Sequence, residues 1–506
     1  MTKIELTERL KESIHSRIAL EEDFDIHNEL EQVLNEIGLS AKDAGGGISF
    51  YGADPIVNST VRLGAGSAVG LMAKSVAAAN IYKMRGGKGQ NLHVDLAKAV
   101  ERLGVSYKML ERINGYPFDM TDLNLYSLIS FYKTKDNRFI IPSNIYPKLR
   151  DKMQKLLGCG NDPKSVAEAI SQWNAEDLEK AGEKNGIVMG MVRTLEEFMK
   201  EPVYKDYLEN TPLIEIEKIG DCDPEPFTQD PSTPLEGVRA LGLGHVIAGA
   251  GIGRVFAAHG ADVLNIWRLN EFEHDGAYYT ANVGMRSARL NYKASEGQKR
   301  LKELLKESDI LFANRRPRLM EEIGMTAEEC AEMRPGIIYC NTSAHGDKGP
   351  WKNRPGFDQV AGAVTGMMTF EGDEKSPKIP VINVVNDYLV SWLAAAGCMA
   401  ALARRAAEGG SYRVHVSLTR VSLWLLSLGI FDKDYVAATA GKVKGYEEMK
   451  PELFQAQTSV GLYQGYTDQV HMSETPESYR TVLMPRGSNQ AVWLPRDPQF
   501  KMNFKL

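Results

Sequence analysis

Residues 234–268 read PLEGVRALGLGHVIAGAGIGRVFAAHGADVLNIWR, and this stretch decides the architecture. Val238–Leu243 is a short apolar run bounded by glycines, which predicts a strand. A glycine-rich loop follows, a helix is expected over 252–259, and Ala261–Trp267 reads as a second strand. Strand, turn, helix and strand make a βαβ unit, whose strands run parallel. The alternation continues downstream. Ser287–Asn291, Asp309–Ala313 and Ile337–Ser343 are expected as strands, with a helix over 296–307. A helix is expected from Asp358, then the strand Val381–Val385, a long helix over 388–407 and the strand Arg413–Leu418. Residues 235–430 therefore predict an α/β fold with a doubly wound, mostly parallel sheet.

Upstream, residues 1–44 form a helical segment, with Leu6, Leu10, Ile14 and Ile18, then Leu30, Val33, Leu34 and Ile37, at helical spacing. Ala44 to Gly47 breaks that pattern. Residues 45–119 read as a partial repeat of the α/β unit. There, STVRLGAGSAVGLMAKSVAAANIYKMRGGKGQNLHVDLAKAV parallels the later INVVNDYLVSWLAAAGCMAALARRAAEGGSYRVHVSLTRVSL. Residues 120–220 are expected as a smaller α+β domain. The acidic, proline-rich stretch 221–234 reads as a linker, and 431–506 as an irregular tail.

Composition narrows the function classes. Of 506 residues, 43% are hydrophobic and 25% charged, the profile of a folded globular chain. A net charge of −6 gives no basic field for nucleic acid. No apolar run is long enough to span a bilayer, so no membrane partner is expected. The charged start, without an apolar signal core, makes the cytoplasm the expected compartment. The five cysteines (Cys159, Cys222, Cys330, Cys340 and Cys398) form no CxxC, and the nine histidines form no HExxH. Neither a disulfide framework nor a metal site is expected.

The loop from Leu243 to Arg254 is the first chemical candidate. Backbone at a helix N-terminus favours a phosphate. A dinucleotide fingerprint fits poorly, since Arg254 stands where a third glycine belongs, and Arg268 rather than an acid ends the next strand. Arg268 suits a phosphate-bearing nucleotide. The loop alone equally fits a tight turn with no ligand. Asp387, at the expected strand-to-helix step, is on its own most often an N-cap. The same position suits a nucleophile, because a helix end favours the ionised carboxylate and Val384, Val385 and Tyr388 limit its hydration.

Four ordered stretches resemble the family III coenzyme A transferases, the carnitine-coenzyme A transferase type. They are the opening run quoted above, SARLNYKASEGQKRLKELLKESDILFANRRPRLMEEIGM, RPGIIYCNTSAHGDKGPWKNRPGFDQVAGAVTGMM and VVNDYLVSWLAAAGCMAAL. Residues 100–220 resemble the family's smaller domain and MSETPESYR its C-terminal tail, so the small domain here precedes the large one. The resemblance implies a Rossmann-like large domain, a homodimer, and transfer of coenzyme A from an acyl-CoA to a free carboxylic acid. No permanently bound cofactor is implied, the coenzyme A thioester being substrate.

It also implies Asp387 as the nucleophile that forms a mixed anhydride with the acyl group. His245, Val246 and Ala248 match the loop that lies against coenzyme A, and Arg268, Leu290, Lys293 and Asn314 match positions lining its nucleotide. Taken as residues alone, Leu290 reads as core and Lys293 as a solvated helix-start charge. This chain departs from the family pattern at Ile247, where some members have a polar residue beside the thioester, at Arg315, usually aromatic, and at Glu322, often basic. Phe357 replaces the histidine with which related racemases move an α-proton, and phenylalanine has no acid–base chemistry, which disfavours racemisation. Asp358 reads as a cap for the helix that follows at least as readily as a catalytic group. His259 and His345 are expected to carry no chemistry. Two rival functions remain from the sequence: a nucleotide-dependent oxidoreductase, and a non-catalytic acyl-CoA-binding or scaffold protein. In the first copy of the repeat, the position equivalent to Asp387 is Ala65, and the nearest upstream acid is Asp54. One active site per chain is therefore expected.

Overall fold

The computed structural model describes residues 3–21, 23–103, 108, 110–118, 128–442, 452–467, 469–496 and 504–505. Its first segment holds helices α1 (Lys3–His15) and α2 (Ile26–Glu36), the second capped by Asp25, which accepts the Asn28 N–H. The glycine run at 45–47 does more than stop a helix. Gly45–Tyr51 is strand β1, parallel to β2 (Gln90–Asp95). A Cβ on Gly46 would lie 2.5 Å from the Gln90 carbonyl, so the approach requires glycine. Between these strands runs α3 (Leu63–Met84), and α4 (Leu96–Glu101) follows.

Residues 128–220 hold a small antiparallel sheet of Tyr132–Lys133, Phe139–Ile141 and Gly190–Met191. The helices Pro147–Leu157, Pro163–Ile170 and Ala175–Asn185 accompany it, and Leu128, Ile140, Met153, Val166 and Leu178 form its core. Residues 120–127 of the expected small domain lie outside the described residues. The stretch 221–234 carries no helix or strand. It is fastened by buried Arg85, whose guanidinium donates to the carbonyls of Thr228, Pro234 and Glu236.

The large sheet contains β3 (Glu215–Gly220), β4 (Arg239–Leu243), β5 (Asp262–Trp267), β6 (Arg286–Arg289), β7 (Ile310–Ala313), β8 (Ile338–Ser343) and β9 (Ser411–Ser417). Its order is β6-β5-β4-β7-β8-β9-β3. Six strands are parallel; edge strand β3 is antiparallel to β9, so the sheet is mixed. Period-two alternation sorts its side chains onto two faces. Along β7, Ile310 and Phe312 join one core while Leu311 and Ala313 join the other. Helices α6 (Ser295–Lys306) and α7 (Ala327–Met333) cover the second face with Leu301, Leu304, Leu305 and Cys330. The first face carries α5 (Ala248–Ala258), α9 (Asn386–Glu408) and α10 (Leu418–Ser427), and α8 (Asp358–Thr365) packs against α9, α10 and the small sheet.

Helix α9 is buried between the sheet and α3, and both helices are apolar on nearly every side, as that position demands. A Cβ on Gly70 of α3 would meet Leu389 at 2.9 Å, so small residues set the spacing.

Two expectations fail. Val381–Val385 is β-branched and apolar but is not a strand. Its backbone groups are claimed by side chains of α8, with Gln359 Nε2 donating to the Asn383 carbonyl and the Val385 N–H donating to Asp358. The tail is also less irregular than its prolines suggest. Leu453–Thr458 and Gly461–Tyr466 form a hairpin that continues onto Arg112–Ile113, and Val470–Met472 adds a strand to β2. Among the described residues no helix is long and apolar enough to cross a membrane.

Candidate active site

The first turns of α5 and α9 meet at one point. A Cβ on Gly251 would lie 2.5 Å from Ser391 Oγ, and that hydroxyl donates toward the carbonyls of Asp387 (2.9 Å), Ile247 (3.1 Å) and Ala248 (3.1 Å). Glycine at 251 thus lets a serine staple the two helix starts together. This contact sets Asp387, in the first turn of α9, beside the loop 244–248.

That loop is locked from its other side by Asn314, at the end of β7. Asn314 Oδ1 accepts the His245 N–H (3.1 Å) and lies 2.6 Å from His245 Nδ1, while Nδ2 donates to the His245 carbonyl (2.8 Å). Gly249 makes room for this amide, since a Cβ there would sit 2.3 Å from Asn314 Cγ. Burial first, and then the Arg315 charge, push the His245 ring down to about 3, so it is neutral and donates from Nδ1. His245 and Asn314 therefore act first on each other. Val246 follows with φ +58°, a left-handed conformation that a β-branched residue adopts only under constraint, at a cost of roughly 1–3 kcal/mol. The constraint is Glu273, whose Oε2 accepts the Val246 N–H at 2.7 Å.

Asp387 is 6% exposed, and among the described residues its carboxylate accepts no hydrogen bond. Its own N–H is held by Asp358 Oδ2 at 2.8 Å, and the Val385 N–H by the same oxygen at 3.0 Å. Asp358 therefore caps α9, more than twenty residues downstream, rather than the helix it opens. This arrangement corrects the expectation of an ionised Asp387. The helix-end donors serve Asp358, and burial, then the Asp358 and Glu273 charges, raise Asp387 well above the ordinary carboxylate range. Burial also lifts Asp358 to about 6, against the N–H groups that favour its charge. Glu273 is raised by burial too, opposed by its donors Tyr146 O–H (2.5 Å), Val246 N–H and His274 N–H (3.0 Å). Asp387 and Asp358 are a pair of buried acids that act on each other, and the Glu273 charge acts on Asp387.

The other expected residues divide. Ala248 opens α5 at the staple. Arg268, 39% exposed at its side chain, donates to Glu271 at 2.8 Å, and Arg315 grips the same carboxylate, which is held down at about 2 against its burial. Arg268 and Arg315 thus share one acid at the end of β5. The Leu290 N–H donates to the Trp267 carbonyl (2.9 Å), and its side chain packs on the second core. Lys293 is 55% exposed and pairs with Glu322 at 3.5 Å. Glu273, Tyr146 and Glu271 were not singled out from sequence. Tyr146 comes from the 128–220 segment and reaches Glu273 across a long separation, a signal no local pattern carries. Arg254, at the third-glycine position, is buried and donates to the Thr280 and Tyr466 carbonyls, which makes it a structural anchor.

A metal-like grouping of Glu215, Asp347 and His415 lies near β9, but Arg413 already ion-pairs with Asp347 and Ser343 Oγ lies 2.9 Å from His415 Nε2. At α3 the capping device recurs: Asp54 accepts the Gly64 and Ala65 N–H groups at 2.9 and 2.8 Å. Ala65 offers no carboxylate there.

The profile of CoA-transferase family III matches residues 235–505, more than half of the chain. The chain belongs to CoA-transferase family III. The formyl-CoA:oxalate CoA-transferase of Streptomyces avermitilis is 30% identical over 214 residues, covering 40% of this chain and 52% of that one. The cinnamoyl-CoA:phenyllactate CoA-transferase of Clostridium sporogenes is 29% identical over 220 residues, covering 40% and 53%. The chain thus spans about half the length of these family III relatives. A crystal structure of Rv3272 from Mycobacterium tuberculosis superposes with a TM-score of 0.36 at 26% identity, covering 39% of this chain and 58% of that one.

Proposed function

We propose that this family III member moves coenzyme A from an acyl-CoA to a free carboxylic acid, with Asp387 as the covalent nucleophile. The observation that carries the reading is the Asp387 carboxylate itself, buried in the first turn of α9, without a hydrogen-bond partner among the described residues, and beside a strained glycine loop. A carboxylate satisfied by donors would be stable and unreactive; this one is held in place through its backbone by Asp358 and Ser391.

In the first step the Asp387 carboxylate attacks the thioester carbonyl. The C–S bond breaks, coenzyme A leaves as thiolate, and a mixed anhydride forms on Asp387. The thiolate then attacks the aspartyl carbonyl, releasing the donor's acid and leaving coenzyme A on Asp387. The acceptor carboxylate repeats both steps in reverse order and departs as the new thioester. Every step exchanges one carboxylate or thiolate for another, so no net proton or redox partner is needed. Backbone N–H groups at the α5 start face the developing oxyanion in this reading, since Ile247 offers no polar side chain. Arg268, beside Glu271 in the partly exposed loop that follows β5, suits the phosphates of coenzyme A. A buried aspartate fixed by the Ser391 staple also argues against the scaffold alternative, and the buried Arg254 argues against a dinucleotide loop.

The test is incubation with a mixed panel of acyl-CoAs and acids, read by mass spectrometry for new thioesters. New acid–CoA pairs that vanish in Asp387→Ala support the reading. Equal turnover in Asp387→Ala removes Asp387 from it, and nicotinamide binding without thioester exchange would restore the oxidoreductase.

A further inference from the structure

The surroundings of Asp387 carry a second message, about which acids fit. Tyr146 stacks on Phe357 at 5.6 Å with the planes 15° apart, and meets His274 at 5.1 Å and Phe272 at 6.0 Å edge-on. Phe272 is 46% exposed, so this ring cluster opens outward rather than filling a core. It is joined to the acids at two points. Phe357 immediately precedes Asp358, and the Tyr146 hydroxyl donates to Glu273. Tyr146 also lies close enough to Asp387 to feel its charge, after burial and Glu273.

The charge pattern is one-sided. Asp387, Asp358 and Glu273 are all buried, and Glu271 lies next along the same loop. The cations at this end of the sheet, Arg268 and Arg315, both ion-pair with Glu271. A reacting acid must bring one carboxyl to Asp387. Any second carboxylate on it would come near the other buried acids and the rings around Tyr146.

We propose that the acyl subsite beside Asp387 takes monocarboxylic acids with an aromatic or bulky apolar chain, and that Glu273 and the Tyr146–Phe357 stack set this choice against dicarboxylates. The inference rests on the coenzyme A transfer reading above. Rings present flat apolar faces on which an aryl group stacks. Glu273 is held by the Tyr146 hydroxyl and two backbone N–H groups and ion-pairs with no cation among the described residues, so a second carboxylate beside it meets like charge, and specificity is built as much by repulsion as by attraction. Glu273 is a positioning and selecting residue here: it holds the Val246 N–H and Tyr146, and once ionised it repels a second carboxylate.

The experiment uses the full chain with phenylacetyl-CoA, which the proposal expects to be accepted, as donor and compares 3-phenylpropanoate with glutarate as acceptors. The proposal expects kcat/KM for 3-phenylpropanoate to exceed that for glutarate by about 100-fold, the scale of an uncompensated like-charge contact. Glu273→Gln keeps the shape and removes the charge, and should narrow that ratio by about 10-fold. Tyr146→Ala should lower use of the aryl acid alone. Glutarate used as well as the aryl acid by the wild type would overturn the inference while leaving coenzyme A transfer standing. If neither acid yields a new thioester, the transfer reading fails, and calorimetry with phenylacetyl-CoA and succinyl-CoA decides the pocket. Tighter phenylacetyl-CoA binding supports it; equal or weaker binding overturns it. Should Glu273→Gln not fold, Tyr146→Ala and the same calorimetry keep the test open.

Discussion

Replacing Asp387 by asparagine should abolish transfer and at the same time make the chain more stable at pH 8. Asparagine keeps the size and the backbone N–H that Asp358 accepts, and removes one charge from a buried set of three acids. The magnitude follows from the neighbour. Asp358 is lifted from 3.8 to about 6, a rise of about two pKa units, or ~3 kcal/mol at 1.36 kcal/mol per unit. Desolvation leads the rise of Asp387 as well, so removing its charge should remove a burial cost of similar order, ~1–3 kcal/mol. The sign is fixed by the direction of the shifts. Both acids hold their protons more tightly in the folded chain, so their contribution is intact below pH ~4 and is lost as pH climbs through about 6 and beyond. The variant should therefore outlast the wild type at pH 8 and match it near pH 4. An unfolding entropy of ~2.1 cal/mol/K per residue over 506 residues gives about 1 kcal/mol/K, so the expected gain in Tm is about 1–3 °C. Thermal melts of both proteins at pH 4.5, 6 and 8 read it directly. A Tm that falls at pH 8 would refute the reasoning, because it would mean that the charge serves the helix start as an ordinary cap.

Other outcomes follow from the same geometry. The rate of transfer should climb with pH through an apparent pKa well above the usual carboxylate range, because Asp387 attacks only when ionised; Asp358→Asn should move that midpoint down, and a rate profile flat from pH 4.5 to 8 would contradict the coupling. Arg268→Ala should weaken coenzyme A binding about 10- to 100-fold, the scale of a charged hydrogen bond worth ~1.5–3 kcal/mol, whereas unchanged affinity by calorimetry would place the nucleotide elsewhere. A 2-methylacyl-CoA held in deuterated water should show no exchange at its α-carbon, since Phe357 carries no base; rapid exchange would reveal another one.

Much of the large unit was legible in the sequence because its strands obey a period of two and its helices stop at glycines. The apolar runs at β4, β5, β7 and β8 could only be buried strands, and Gly409 ends α9 where its pattern ends. Val381–Val385 misled because composition reports what a segment can bury, not who takes its backbone hydrogen bonds; here Asp358 and Gln359 take them. Asp358 itself was legible as a cap but not as the cap of a distant helix. Charges at Arg268, Glu271 and Arg315 were visible, while their pairing, which depends on β5 and β7 lying two strands apart, was not. Glu273 had no local signal at all. Its importance comes from Tyr146, which the fold delivers from another segment.

The central claim is a covalent bond to one side chain, and hydroxylamine trapping tests it most directly. Wild-type protein is incubated with an acyl-CoA donor and hydroxylamine, digested, and mapped by mass spectrometry. The account predicts one hydroxamate per chain, on Asp387, and none on Asp54 or elsewhere in residues 45–100. A label on another residue, two labels per chain, or full transfer activity with Asp387 unlabelled would contradict it.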